Sequence, residues 1–190
     1  MPQALAPEAR YGGVLHMQGE EEGLSRYRLR PPTPREERLV EGFLRAIGFK
    51  VNPYAEGMTV LDPGGKFKEV FYLPWGLRRA VERLPLHYSA GLNLGSIGER
   101  GFRPSLHLAR ELAPLCGSPV KCIRLSPRGE KLFLYSRDVY GDNIASHTSG
   151  AALVVGSNGQ PLGWGVGLSR DGLLIVKPLR DLGWYLRRGG

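Results

Sequence analysis

Cysteine is scarce in this chain. Cys116 and Cys122 are the only two in 190 residues, too few for a secreted disulfide scaffold or a four-ligand zinc site. Two alternatives stay open for the pair: small buried thiols, or a Cys116–Cys122 disulfide of the kind found in intracellular proteins of hyperthermophiles. Histidine is sparse too, and His16, His87, His107 and His147 show no close metal-ligand spacing. Neither a metal nor a cofactor is expected. No apolar run approaches the roughly 20 residues that span a bilayer. The N-terminus also lacks a basic flank followed by an apolar run. A cytoplasmic protein without a membrane partner is expected.

Catalytic fingerprints are missing as well. GSIGERG (95–101) has closely spaced glycines but no preceding β run at dinucleotide-binding spacing. Gly65-Lys66 is followed by Phe67 rather than Ser or Thr, which excludes a P-loop. Ser146, His147 and Asp142 fit a polar turn as well as a catalytic triad. Beside a β module the chain has no room for a wound methyltransferase domain. These absences predict a protein that is not an enzyme.

What the chain has is positive charge, +8 overall with a pI near 9.8. That favours a polyanionic partner, most simply nucleic acid. The charge is unevenly spread. Residues 1–27 hold two Arg against four Glu, residues 28–118 fourteen cations against nine anions, and residues 119–190 ten against five. An acidic segment, 1–25, rich in Gly, Pro and Glu and without periodicity, reads as a flexible extension. Two basic blocks follow it.

The pattern predicts α+β architecture in two domains, 26–117 and 118–190. In the first, Thr33 is a suitable N-cap and Pro34 suits the first helical position. Leu39, Phe43, Leu44 and Ile47 then continue a helix over 34–47. Two apolar runs around Asp62-Pro-Gly-Gly65 predict a β-hairpin. Pro74 opens a second helix to about 84, with Leu77, Val81 and Leu84 on one face. SAGLNLGSIGERG reads as a glycine-rich connection, and a third helix covers 104–113. Arg78, Arg79 and Arg83 make a basic helix face, of the sort that is usually just solvated. In the second domain VKCIRL, KLFLYS, AALVVGS and GLLIVKP read as short strands. Asn158-Gly159 suggests a type I′ hairpin, and a helical turn at 178–187 completes a nearly closed β structure. Gly163, Gly165 and Gly167 leave one strand face bare. That strip suits either tight bending in a small barrel or the approach of a nucleic-acid backbone.

The run FLYSRDVYGDNIASHTSGAALVVGSNGQPLGWGVGLS, with its closing DLGWYLRR, resembles a PUA domain, an RNA-binding β pseudo-barrel. RLRPPTPREE before the first helix resembles the RPLTxEE opening of the Nip-seven family of ribosome-biogenesis proteins. LNLGSIGERGFRPSLHLARELAP is similar to that family's middle pattern. The three blocks span about 28–190. The resemblance implies an N-terminal α/β pre-PUA domain, a C-terminal PUA-type β pseudo-barrel, and a non-catalytic RNA-binding factor in large-subunit ribosome biogenesis and pre-rRNA processing. It implies U-rich or AU-rich single-stranded RNA as ligand, with ribosome-assembly proteins or the RNA exosome as further partners. It also implies a nucleolar or nuclear location if the source is eukaryotic. Departures are visible. The family's longer basic insertion is reduced to Leu168-Ser-Arg-Asp-Gly172, its Gly-Asn after FLY is Ser136-Arg137, and the Glu before the final Tyr is Trp184.

Arg170, Lys177, Arg180, Arg187 and Arg188 are the expected phosphate contacts, since each cation adds a salt-sensitive term through counterion release. Arg187 and Arg188 would equally suit a helix C-terminus. Trp184 is a candidate for stacking on an unpaired base, whereas Leu182, Tyr185 and Leu186 are expected to anchor the last turn on the barrel. A protein-interaction adaptor with incidental RNA contact is the competing reading, and an RNA-modifying enzyme a third. A monomer is expected, there being no long apolar heptad.

Overall fold

The structure, a computed structural model, describes residues 28–81, 91–183 and 187. The acidic extension lies outside them. The first half is a five-stranded antiparallel meander of β1 (Arg28–Arg30), β2 (Met58–Asp62), β3 (Lys68–Tyr72), β4 (Leu92–Gly98) and β5 (Gly101–Pro104), in that spatial order. Helices α1 (Pro34–Ala46), α2 (Trp75–Val81) and α3 (Leu106–Leu112) complete it.

Thr33 caps α1 as expected. Its side chain accepts the Glu36 N–H, and Glu36 reaches back to the Thr33 N–H at 2.8 Å, a reciprocal capping box. Glu36 does more than cap. Only 5% exposed, it takes a two-pronged hydrogen bond from Arg30 at 2.8 Å on each oxygen. Lys68 lies 3.3 Å from Glu36 and 3.0 Å from Asp62, and Arg30 also reaches Asp62 at 3.0 Å. One partly buried network, centred on the buried Glu36, thus ties β1, α1, β2 and β3 together. Asp62-Pro-Gly-Gly65 forms the expected turn between β2 and β3.

Of SAGLNLGSIGERG, whose Ser89 and Ala90 lie outside the described residues, the rest is not a connection: it supplies β4 and the turn into β5. Its glycines sit in the strand because neighbours press on the backbone. A Cβ at Gly95 would strike the Arg103 carbonyl, and one at Gly98 would lie 2.8 Å from the Phe67 ring. On α2, Leu77 is exposed rather than buried. Leu84, Arg83 and the side chains of Arg78 and Arg79 lie outside the described residues.

The second half is a six-stranded mixed sheet curled into a pseudo-barrel, in the order β7 (Val139–Tyr140), β11 (Leu173–Asp181), β10 (Pro161–Arg170), β9 (Gly150–Val155), β6 (Cys122–Leu125) and β8 (Ile144–Ser146). Only β6 and β9 run parallel. KLFLYS belongs to a helix, α4 (Pro127–Leu134), and not to a strand. Ser126 accepts the Gly129 N–H at 3.2 Å and Pro127 occupies the first turn. SPRGE is therefore a helix start, and the apolar run after it was too short for periodicity to decide. The β9–β10 loop also differs from expectation. Of Asn158 and Gly159 only Gly159 has positive φ, at 84°. With Gly159 N–H bonded to the Gly156 carbonyl, the turn is type I ending in a left-handed glycine. β11 stays extended through Asp181, so of the helical turn expected over 178–187 only the later part is met, with Gly183 and Arg187 helical.

The glycine strip of β10 faces inward. A Cβ at Gly163 would strike the Arg180 carbonyl, and one at Gly167 the Thr148 carbonyl. Close packing of backbone on backbone explains it, and no nucleic acid can lie along a buried strip. Cys116 and Cys122 form a disulfide, with Cα atoms 5.5 Å apart.

β9 decides how the halves meet. Ala152 and Val154 enter the barrel core with Ile123, Phe133 and Val176, while Leu153 and Val155 turn toward Val40, Leu44, Ile47 and Leu108 of the first half. Trp164 of β10 joins the second cluster. It is fully buried, its ring stands edge-on to Phe43 at 5.1 Å, and its indole N–H donates to the Ser105 carbonyl at 2.7 Å. The two sheets thus share a core.

Hydrogen bonding from Arg30 holds the Glu36 carboxyl well below its usual range, even against burial. Burial pushes Asp62 up, but the bonds from Arg30 and Lys68 outweigh it and leave that carboxyl lowered too. Groups with depressed folded-state pKa stabilise at neutral pH and lose that contribution as the solution is acidified below the unfolded value near 4.5. Glu36→Gln is expected to cost about 3 kcal/mol at pH 7 and to flatten the acid limb, measured by denaturant unfolding across pH. Trp164→Phe is expected to cost about 1–3 kcal/mol. Both it and the parent should melt in one transition by near-UV and far-UV circular dichroism, since the halves share buried side chains.

Candidate nucleic-acid interface

The exposed face of α4 carries Arg128, Lys131 and Tyr135, at helical spacing on one side. Arg137 follows the helix end. With Leu132 these residues line a shallow hollow of about 390 Å³ that holds no carboxylate among the described residues. Tyr135 is 69% exposed. Phe133, between them in sequence, points into the barrel core and holds the helix in place. The one acid of α4, Glu130, faces away and accepts hydrogen bonds from Ser157 and Gln160. Four side chains able to contact phosphate or stack on a base are therefore presented together.

The helix ends at Ser136, whose φ of 56° is left-handed. The Arg137 N–H returns to the Leu132 carbonyl and the Ser136 N–H to that of Phe133, the hydrogen-bond pair of a Schellman stop. Glycine suits that conformation best. Serine compensates with its hydroxyl, which donates to Asp181 Oδ2 at 2.7 Å and accepts from Arg187 at 2.8 Å. Arg187 also pairs with both Asp181 oxygens, at 3.0 and 3.1 Å, and donates to the Leu134 carbonyl. Asp181 is buried, and hydrogen bonding to it raises the Arg187 pKa. Arg187 thus closes the end of β11 onto α4, and its guanidinium is already occupied.

The other expected phosphate contacts are scattered. Arg170 sits at the tip of the β10–β11 hairpin, whose two loop residues, Asp171 and Gly172, both have positive φ. Arg180 lies at the opposite end of β11, seven residues from Leu173 and so roughly 23 Å away along the strand. Lys177 is exposed and 3.8 Å from Asp138, a weak surface pair. Arg180 donates to the Pro104 carbonyl at 3.3 Å, across to the first half. It and Arg187 meet in a cleft of about 790 Å³ between the two sheets, whereas Arg170 and Lys177 do not reach it. Trp184 and Arg188, with Tyr185 and Leu186, lie outside the described residues.

Sequence reasoning missed the α4 face because it left Arg128 in the connection SPRGE and placed Lys131 and Tyr135 in a strand, so the three were not seen to share one side of a helix. The signal was Ser126-Pro127, a helix start.

Residues 29–106 match the family model described as NIP7/UPF0113, pre-PUA domain, and residues 121–190 match the UPF0113 PUA domain. The chain belongs to the NIP7/UPF0113 family. The five-stranded half is its pre-PUA domain and the curled six-stranded half its PUA domain. Among solved structures, a hypothetical protein of the hyperthermophilic archaeon Pyrococcus horikoshii OT3 is similar at 11% identity with a TM-score of 0.49, over 84% of this chain and 99% of that one. For a NIP7/UPF0113 chain, the basic α4 face therefore lies on the domain whose type is associated with RNA binding.

Arg187→Ala should lower the unfolding temperature, because it leaves the buried Asp181 carboxylate with Ser136 alone. Its effect on the salt dependence of RNA binding should be small. Differential scanning calorimetry and a salt titration on the same sample separate the two roles.

Proposed function

We propose that this NIP7/UPF0113 protein is a non-catalytic RNA-binding factor of large ribosomal subunit assembly that holds single-stranded, U-rich or AU-rich pre-rRNA on its PUA domain. The observation that carries this reading is the α4 face, where Arg128, Lys131 and Arg137 surround the exposed Tyr135 and no carboxylate among the described residues lines the hollow. Cations without acidic partners attract phosphates, and an exposed ring offers a face to an unpaired base. The family and its PUA domain support the ribosomal context. It would act as a monomer wherever subunits are assembled, in the cytoplasm or, in a eukaryote, the nucleolus. A protein-contact role for the pre-PUA domain has its own support. Val51 and Leu77 expose 78% and 52% of their surface, and covering such apolar side chains would favour association with a protein partner.

Fluorescence anisotropy with a U-rich single strand over a salt series tests the proposal. Arg128→Ala/Lys131→Ala/Arg137→Ala should flatten the slope of log affinity against log salt by about 2, three contacts at roughly 0.7 each. Tyr135→Ala should weaken binding by about 1–3 kcal/mol. Binding that is undetectable at low salt, or indifferent to salt, would overturn the reading.

A further inference from the structure

The cleft between the two sheets is built from both domains. A register irregularity between Trp164 and Gly165 leaves Leu179 unmatched on β11. That bulge turns Leu179 outward, 56% exposed, onto the cleft wall. Facing it from the pre-PUA sheet are Phe67, 47% exposed, and Phe102. The Phe67 ring is seated against the bare backbone of Gly98, and the Arg103 guanidinium stands over the ring at 5.6 Å from its centroid. Neither Arg103 nor Arg180 makes an ion pair among the described residues. Two acids line the cleft. Asp181 is neutralised by Arg187, and Glu69 accepts from the Asn93 amide at 3.1 Å. A smaller hollow of about 340 Å³ continues from Phe67 and Arg103 past Lys66 and Arg100, with Glu99 its one acid.

An apolar slot, an Arg–aromatic stack and unpaired cations at the rim make a combination suited to one chemistry. Single-stranded RNA is bound by stacking splayed bases on aromatic rings or guanidinium planes while cations track the phosphates. The volume is that of a ligand pocket rather than a surface dimple. The cleft also adjoins the α4 face through consecutive residues: Tyr135 and Arg137 line the α4 hollow, and Ser136 between them lines the cleft. A strand held on α4 therefore needs to pass only the helix end to enter it.

We infer that the cleft is a second RNA subsite, in which an unpaired base of a strand already held on the α4 face stacks on the Arg103–Phe67 pair and its flanking phosphates meet Arg180 and Arg103. This rests on the RNA-binding reading above and extends it across the domain junction. It makes the pre-PUA domain a direct contributor to RNA affinity. Phe67 and Arg103 are side chains of the rim, not of the shared core, so replacing them leaves the fold in place.

The test uses the full chain with a short oligouridylate, just long enough for the α4 face, and one twice its length, each carrying a terminal dye. The parent should bind the longer strand at least about tenfold more tightly, one added stacked base being sufficient for that. Phe67→Ala/Arg103→Ala should lose this gain while binding the short strand as the parent does. Arg103→Lys, which keeps the charge but not the plane, should lose most of it. A 2-aminopurine placed in the distal half should be quenched by the parent and not by the double variant. If the parent binds both lengths in a salt-sensitive way and the double variant matches it on each, the subsite is wrong and the α4 reading stands. If the parent binds neither, both readings fail.

Discussion

Trp164 is the contact on which the rest of this structure depends. Its indole N–H satisfies the carbonyl of Ser105, the residue that caps α3, while its ring fills the space beside Phe43. A buried indole needs a partner for its one donor. Here that partner belongs to the pre-PUA domain, at the cap of α3, so the strand that carries Trp164 cannot shift without opening the pre-PUA core. The same strand neighbours β9, whose alternate side chains serve both cores. Two domains that sequence composition separates at about residue 118 are thereby packed as one body. The geometry of the cleft, and of Arg180 against Pro104, follows from that fusion.

Charge is used in this molecule in two opposite ways. Around Glu36 and around Asp181, cations are consumed: Arg30, Lys68 and Arg187 neutralise carboxylates that burial would otherwise penalise. On α4 and along the cleft rim, cations have no acidic partner among the described residues. Net charge alone cannot tell these populations apart. It is the partnering of each cation, seen only in three dimensions, that separates a staple from a ligand contact. Arg187 illustrates the point, for it stands beside the cleft yet its guanidinium is taken up by Asp181, Ser136 and Leu134.

The β10–β11 connection is a two-residue turn, Asp171-Gly172, with Arg170 the one cation beside it. Among the described residues Arg170 is left there without an ion pair, and further cations without one stand on α4 and in the cleft at the far end of the same strand. Affinity spread over separated patches suits a ligand that is long and flexible, because each phosphate contact adds independently and weakly.

Much of the local structure was legible in the residues themselves. Thr33-Pro34 with Glu36 marks the start of α1, Asp62-Pro-Gly-Gly65 a hairpin, and the apolar runs β6, β9 and β11, because capping, turn chemistry and side-chain alternation act within a few residues. The family and its two domain types were legible too, from blocks whose order and spacing span the chain. What misled was short-range ambiguity. LFLY is an apolar run no longer than a strand yet follows a helix cap, and the glycines of β4 and β10 look like loops or bare strips until a backbone is seen pressing against them. The interface was the least legible part. Which arginine is spent on Asp181, which stands over Phe67, and whether Tyr135 points to solvent or core depend on contacts between residues far apart in the chain, and those distances are set only when Trp164 and β9 lock the two sheets together.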